Sequence, residues 1–441
     1  MKHFLLIIFS ILITDFYFFP IEFIFLPGIN TKMVLAGISL IILGFNLARH
    51  RSGQIDKAFL WLSLSALCVS FVSYISIVVN NTPDHSFTGY IMSMWVWLGG
   101  AYTVIRTIKL VHGKVSIPIV CNYLISVCVM QCILAYIMNM YTPMFTAVNS
   151  VLGGEKFMGI TEGRLSGIGA ALDVAGLRFS AVLVMIAYLM VNIRKVYLEK
   201  YFICYVVAFL IIGVIGNMIA RTTTMGIVLS IAYWLYSCKT FSIKQLNWQF
   251  MASLVIVVVS IVGMIYLYNV DATFHNNIRF GFEGFFSLFE HGKWYVSSND
   301  ILLNHMIQFP ETFHTWIIGD GYCSNPLAET GGDPYYTGPS YHGFYMGTDI
   351  GYIRFLFYFG IIGLAAFISF FLVCGKICMS KFSNFKMLFF LLLMVNFIGW
   401  FKVATDIFLV FAPFLCVSKE DNNSLNSNVD IQAYSTVPKK G

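Results

Sequence analysis

The chain has 441 residues, of which 58% are hydrophobic, 17% are aromatic and only 11% are charged. So few charges cannot cover the surface of a soluble protein of this length, and repeated apolar runs of about 20 residues are typical of membrane-spanning helices. The formal net charge of +6 comes from short basic loops and does not indicate a nucleic-acid partner. The composition therefore predicts an all-α, polytopic membrane protein.

The hydropathy pattern predicts about twelve apolar spans. They lie near residues 4–26, 33–48, 58–79, 90–108, 116–138, 174–193, 201–219, 223–237, 250–268, 355–374, 386–400 and 404–418. About two thirds of the 27 lysines and arginines fall in alternate connections, and cytoplasmic loops carry such an excess. This asymmetry predicts that both termini are cytoplasmic.

Two segments on the opposite, outer side are longer than turns. The first is 139–175, and the second is 269–353, a loop of roughly 85 residues that is long for a simple connection. The predicted organisation is an N-terminal membrane region (1–268), this outer loop, a C-terminal membrane region (354–418) and a disordered cytoplasmic tail (419–441).

The outer loop is acidic and rich in histidine and aromatic residues. Aromatic faces beside carboxylates suit sugar rings, whose CH faces stack while their hydroxyls accept and donate hydrogen bonds. An aromatic belt at the membrane interface is the simpler interpretation of any single tyrosine here. The sequence leaves both interpretations open.

Four outer arginines form a second signal. A planar guanidinium gives two parallel charge-assisted hydrogen bonds to a phosphate, so four at one membrane depth favour a site for an anionic lipid head such as a polyprenyl pyrophosphate. The alternative is that they snorkel or pair with Asp173 and the acidic loop. They are Arg164, Arg178, Arg221 and Arg354.

The stretch 349–363, DIGYIRFLFYFGIIG, closes the outer loop and opens an apolar helix. Its Asp349 is a candidate base for a hydroxyl nucleophile, and His342 shortly before it is the other candidate. Tyr352 and Arg354 follow on the same helix and either take part in the site or anchor the helix at the interface. Alternatively, Asp349 is a helix cap and His342 an ordinary loop histidine.

These residues resemble the Wzy-type O-antigen polymerases and the related O-antigen ligases. The resemblance rests on four segments that together cover about a sixth of the chain. They are RLSGIGAALDVAGLRFSA (164–181), RTTTMGIVLS (221–230), WIIGDGY (316–322) and TDIGYIRFLFYFGIIGL (348–364).

The last segment discriminates between the two enzymes. Ligases with this pattern carry a histidine and a small polar residue, then nine residues, Gly, two residues and Gly. Here the same spacing leads from Asp349 to Gly360 and Gly363, two glycines whose helix face allows close backbone approach. With an aspartate in place of the histidine, the segment resembles that of the polymerases. Asp349 is therefore the best single candidate for a functional residue.

The resemblance implies a GT-C-like fold of about twelve helices with one long periplasmic loop, in the bacterial inner membrane. The implied activity transfers an undecaprenyl-pyrophosphate-linked glycan to a new lipid-linked repeat unit at the periplasmic face. Asp349 or His342 would be the catalytic base. The implied substrate-binding residues are Arg164, Arg178, Arg221, Arg354, Tyr352, Asp320 and Lys402.

No cofactor, metal or nucleic acid is expected. The expected partners are the lipid-linked repeat units, membrane lipids and, by the resemblance, a polysaccharide chain-length regulator. Two other functions stay open: an O-antigen ligase acting on lipid A-core, and a lipid-linked oligosaccharide flippase, which would be a transporter with charges inside its spans.

Overall fold

A computed structural model describes residues 2–49, 56–152, 164–192, 195–237, 248–324 and 344–422. The fold is 79% helical, and extended pairing among these residues is limited to isolated bridges such as that between Glu22 and Asn30. The all-α prediction is confirmed.

The described residues form a succession of α-helices. The first ten are α1 Lys2–Phe18, α2 Thr31–Arg49, α3 Lys57–Asn80, α4 Tyr90–His112, α5 Ile117–Met140, α6 Thr142–Val151, α7 Leu172–Asn192, α8 Lys195–Ile219, α9 Thr223–Ser237 and α10 Trp248–Val270. The others are α11 Ala272–Gly281, α12 Glu283–His291, α13 Ser297–His305, α14 Phe313–Ile317, α15 Gly351–Lys381, α16 Lys386–Gly399 and α17 Phe408–Cys416.

Within this part of the chain, five helices are long and apolar enough to cross a membrane: α3, α5, α7, α15 and the 201–219 part of α8. A sixth arises if α10 and α11, which meet at a bend of 120°, count as one broken span. These helices support a multi-pass membrane protein. Each predicted span overlaps a helix, but the count of twelve is not confirmed, because several of these helices are shorter or less apolar than a span requires.

Helix α7 lies at the centre of the bundle, and residues 175–189 are all buried. Small residues allow its neighbour α9 to approach closely, because a Cβ on Gly176 would overlap Thr222 and one on Gly226 would overlap the backbone of Ser180. The hydroxyl of Ser180 donates to the carbonyl of Thr222 at 2.8 Å and accepts from the Gly226 N–H at 3.0 Å. This packing fixes the start of α9.

Helix α15 is broken near its first third. Phe359 has φ −135° and ψ 18°, and Gly360 has φ +65° and ψ −170°, so the helical hydrogen bonds are interrupted there. A Cβ on Gly360 would overlap the carbonyl of Ile317 in α14. The close approach expected at Gly360 is therefore found, and its partner is a short helix of the outer loop.

The segment after α14 fills the break. The backbone N–H of Asp320 donates to the carbonyl of Phe357 at 2.6 Å, and that of Gly321 donates to the carbonyl of Tyr358 at 3.1 Å. The hydroxyl of Ser76 in α3 also donates to the Tyr358 carbonyl, at 2.7 Å. Carbonyls freed by the break are thus satisfied, as an apolar environment demands.

Residues 419–422, the start of the predicted tail, form a helical turn against α4 and α5. Lys109 contacts Asp421 at 2.7 Å, and the side chain of Asn422 accepts from the Ile117 N–H at 3.2 Å. These four residues are therefore ordered. Residues 423–441 lie outside the described part of the chain.

Replacing Gly360 by alanine should lower the free energy of unfolding by roughly 1–3 kcal/mol, because an L side chain at this positive φ is strained and its Cβ overlaps the Ile317 carbonyl. Thermal unfolding of the detergent-solubilised protein measures the change. Gly263→Ala in α10 is the control, because a Cβ there meets nothing within 4 Å. Equal unfolding temperatures for the two variants would contradict the close packing of Gly360 against Ile317.

Candidate functional site

A cavity of about 180 Å³ lies where the outer loop meets the ends of the helix bundle. Four of the residues that the sequence singled out line it together: Arg164, Arg221, Asp349 and Lys402. The other lining residues are Asp173, Phe280, Ser298, Ile301, Leu302 and Met306. We call this space the central cavity.

Asp349 lies directly before α15 and is held by Arg354. The Arg354 guanidinium donates from Nη1 to Asp349 at 3.1 Å and from Nη2 to the carbonyl of Cys323 at 3.0 Å. The cap position of α15 is Ile350, with no side-chain cap bond, so Asp349 is not the helix cap that the sequence allowed. Its carboxylate is left beside the cavity.

Burial raises the pKa of Asp349 to about 6, against an opposing effect of the Arg354 guanidinium, which lowers it. Asp173 adds a smaller increase and Lys402 a smaller decrease. A carboxyl group with a pKa near neutrality can both accept and return a proton, as general acid–base catalysis requires. The carboxyl of Asp349 therefore has the properties of a catalytic base.

Two arginines flank the ring of Phe280. The guanidinium of Arg221 lies 4.1 Å from the ring centroid and that of Arg164 lies 4.8 Å from it. Arg221 also pairs with Glu283 and donates to Ser298 at 3.3 Å. Pairing with the acidic loop, the alternative noted above, is thus found for Arg221. Arg164 has no carboxylate partner among the described residues.

Backbone contacts explain why both arginines reach this place. Arg221 lies in the short turn between α8 and α9, and its carbonyl accepts from the Thr224 N–H at 3.0 Å. Arg164 precedes Leu165, which is buried and donates its N–H to the carbonyl of Met218 at 3.2 Å. The end of α8 therefore anchors both cations.

Lys402 enters the cavity from the turn after α16. Its ammonium lies 3.8 Å from the carboxylate of Asp173, which also accepts from the hydroxyl of Thr222 at 3.2 Å. A distance of 3.8 Å is long for a charge-assisted hydrogen bond. Among the described residues, Lys402 and Arg164 are thus the cavity cations whose charge is least neutralised by a carboxylate.

Two predicted site residues lie inside the helix packing, away from the cavity lining. Arg178 is buried in α7, where it donates to the carbonyl of Phe18 at 2.5 Å and lies 5.3 Å from the ring of Phe19. The hydroxyl of Tyr352 donates to the carbonyl of Phe397 at 2.9 Å. Their hydrogen bonds join helices, and neither residue lines the central cavity.

Asp320 also lies apart from the central cavity. Its carboxylate accepts from the hydroxyl of Thr315 at 2.7 Å and from that of Tyr345 at 3.2 Å. Burial raises the pKa of Asp320, and these two hydrogen bonds oppose the shift. The contacts assign it to the turn that fills the break in α15. His342 lies outside the described residues.

Two further cavities adjoin the central one. A cavity of about 380 Å³, here the loop cavity, shares Arg221 and Phe280 with it and is otherwise lined from α11, α12 and the following loop. A second, of about 220 Å³, shares Arg164 and is lined mainly by α5 and α6. The two arginines thus stand at boundaries between neighbouring spaces.

The sequence reasoning missed Phe280, Glu283 and Ser298. All three come from the outer loop, and Phe280 with Glu283 belongs to the run RFGFEGFF. The run combines one cation and one acid with closely spaced aromatic residues, which is a usable signal. No spacing rule, however, connects it to arginines more than fifty residues earlier.

Comparison of the chain with protein-family models, with curated proteins and with solved structures gives no match. The geometry itself has a clear chemical character. Three cations and two carboxylates surround a small space beside an aromatic ring, and one carboxylate has a pKa near neutrality. Such a site can bind an anionic group and accept a proton next to it.

Infrared titration tests the environment of Asp349. The protonated-carboxyl band that disappears in Asp349→Asn should titrate with a midpoint near pH 6, protonated below and ionised above, because burial raises the pKa to about 6. Arg354→Gln should move the midpoint higher, because the guanidinium favours the carboxylate. Arg279→Gln, whose guanidinium pairs with Glu290, should leave it unchanged. A midpoint near the ordinary value of 3.8 would contradict this environment.

Proposed function

We propose that the protein is an O-antigen-type polysaccharide polymerase of the bacterial inner membrane. It transfers a glycan from undecaprenyl pyrophosphate to the terminal sugar of a second lipid-linked repeat unit, at the periplasmic face. The observation that carries the proposal is the central cavity, in which Arg164, Arg221, Lys402 and Asp349 converge. Four sequence segments that resemble such polymerases contain three of these four residues and support the same proposal.

The reaction needs a base for the acceptor hydroxyl and positive charge for the leaving diphosphate. A hydroxyl oxygen of the acceptor sugar forms a bond to the anomeric carbon of the donor, and its proton passes to the carboxylate of Asp349. The bond from that carbon to the diphosphate oxygen breaks, and its electron pair leaves with the diphosphate. Arg164, Arg221 and Lys402 stabilise the charge that develops there.

Arg354 acts through Asp349 in this scheme. Its bonds to Asp349 and to the Cys323 carbonyl orient the carboxylate, and its charge keeps the pKa of Asp349 from rising further. The lipid-linked donor carries its own leaving group, the diphosphate, so the reaction needs no nucleotide sugar. A GT-C-like arrangement, with the site between an outer loop and helix ends, is part of the proposal.

The ladder of surface polysaccharide tests the function. In cells whose only copy is Asp349→Asn, the ladder should collapse to a single repeat on the acceptor core, because chains are still exported and ligated but the base that extends them is lost. Gel electrophoresis of the extracted polysaccharide measures this, and immunoblotting of membranes checks that the protein is present. Asp300→Asn is the matched control, because Asp300 bonds to Asn304 in α13 outside the cavity.

The other outcomes favour specific alternatives. A full ladder with Asp349→Asn would remove Asp349 from the catalytic site. Loss of even the single-repeat band would favour a ligase or a flippase. For a flippase, the buried charges Asp15 and Arg178 inside the helices are the relevant observation, although each is bonded within the protein, to Gln131 and to Phe18.

Arg164→Gln should raise the KM for a lipid-linked diphosphate substrate by roughly 10- to 100-fold, because a hydrogen bond to a charged group is lost. Arg164→Lys should restore part of the affinity, because it keeps the charge but loses the planar fork. In vitro polymerisation by the protein in lipid nanodiscs measures both. Arg106→Gln is the control, since its guanidinium contacts Tyr102 in α4. An unchanged KM for Arg164→Gln would exclude Arg164 from diphosphate binding.

A further inference from the structure

The loop cavity offers a second binding surface next to the central cavity. Its volume is about 380 Å³, twice that of the space assigned to the diphosphate. Because the first sugar of a lipid-linked glycan is bonded directly to the diphosphate, the glycan must enter an adjoining space. The residues that line the loop cavity are Arg221, Arg279, Phe280, Glu283, Phe286, Ser287, Glu290, His291 and Tyr295.

Both arginines of the loop cavity already have a carboxylate partner. Arg279 makes a bidentate pair with Glu290, with distances of 2.6 and 2.7 Å, and Arg221 pairs with Glu283. The hydroxyl of Tyr268 accepts a further bond from Arg279 at 3.1 Å. The arginines and glutamates therefore neutralise one another, which distinguishes this space from the cationic central cavity.

Aromatic rings supply the remaining surface. Phe286 lies under the Arg279 guanidinium at 4.9 Å and stacks on Tyr268 with centroids 5.7 Å apart, and these two contacts fix its orientation. Tyr295 is half exposed and lies in the same lining. Ser287 and His291 add hydroxyl and imidazole groups. Flat apolar faces beside neutral hydrogen-bonding groups match a pyranose ring.

We propose that the loop cavity binds the sugar portion of the lipid-linked substrate and selects an uncharged sugar over an acidic one. An acidic sugar would meet Glu283 and Glu290, and it would have to take an arginine from one of them. That exchange gives up an ion pair, and because the bidentate pair of Arg279 with Glu290 is exposed, the expected preference for an uncharged sugar is modest. An uncharged sugar leaves the pair of Arg279 with Glu290 intact. The inference rests on the proposed function and names its substrate class.

A matched pair of probes tests the effect of the sugar's charge on binding. The first is the oligosaccharide released by mild acid from the polyprenyl diphosphates of the native cell, and the second is the same oligosaccharide with its primary hydroxyls oxidised to carboxylates. Saturation-transfer NMR on the full-length protein in nanodiscs measures binding. The released oligosaccharide should carry no acidic sugar and should bind roughly two to five times more tightly than its oxidised form, since disrupting an exposed ion pair is worth no more than about that factor.

Substitutions at two positions separate the effect of charge from that of shape. Glu290→Gln should reduce the difference in affinity between the two probes, because it frees Arg279 to bind the carboxylate of the oxidised probe. Tyr295→Leu should weaken binding of the unoxidised probe, whereas Tyr295→Phe should retain it, because only the first removes the ring. Equal or tighter binding of the oxidised probe to the unmodified protein, an acidic native sugar, or no binding of the native oligosaccharide would each overturn the proposal.

This assay is independent of the transfer reaction. The probes lack the diphosphate, and no polymer forms, so the result does not depend on Asp349. If the polysaccharide ladder survives Asp349→Asn while the neutral preference is found, the catalytic assignment fails and the sugar site stands. If the ladder collapses while the oxidised probe binds equally well, the sugar site fails and the polymerase stands.

Discussion

The contact on which the site depends is the docking of the outer loop into the broken helix α15. The helix gives up its regular hydrogen bonds at Phe359 and Gly360, and the N–H groups of Asp320 and Gly321 take over two of the carbonyls. Two residues further along, the carbonyl of Cys323 receives Arg354. The break in α15 thus links the outer loop to Arg354, the residue that orients the candidate base Asp349.

A second constraint brings the cations to the same place. The contact of α7 with α9 needs small residues on both helices, and it leaves Arg221 in the turn before α9, where its side chain lines the central cavity. Phe280 then lies between Arg221 and Arg164. The segments that resemble polymerases therefore combine packing residues with residues that line the central cavity, and Arg178, inside α7, belongs to the packing.

The sequence was sufficient for the helical class and for part of the site. Apolar runs locate the helices because hydrocarbon leaves the backbone no other way to satisfy its polar groups, and Asp349 stands out because a carboxylate at a helix mouth is costly. The break at Gly360 was not predictable, since a glycine in a helix has many explanations. Phe280 and Glu283 were missed because their partners are distant in sequence. The arginines were identified by chemical type alone, which does not separate Arg164 from Arg178.

The ion pair of Arg221 with Glu283 has a consequence for turnover. Glu283 pairs with one nitrogen of this guanidinium, so under the proposed function an arriving diphosphate has to displace a resident carboxylate. The same carboxylate reclaims the arginine when the spent lipid carrier departs. Under the proposed function, such an internal competitor limits how long the product is retained. An enzyme that must release its leaving group at every cycle gains speed from binding that group less tightly than its charges would permit.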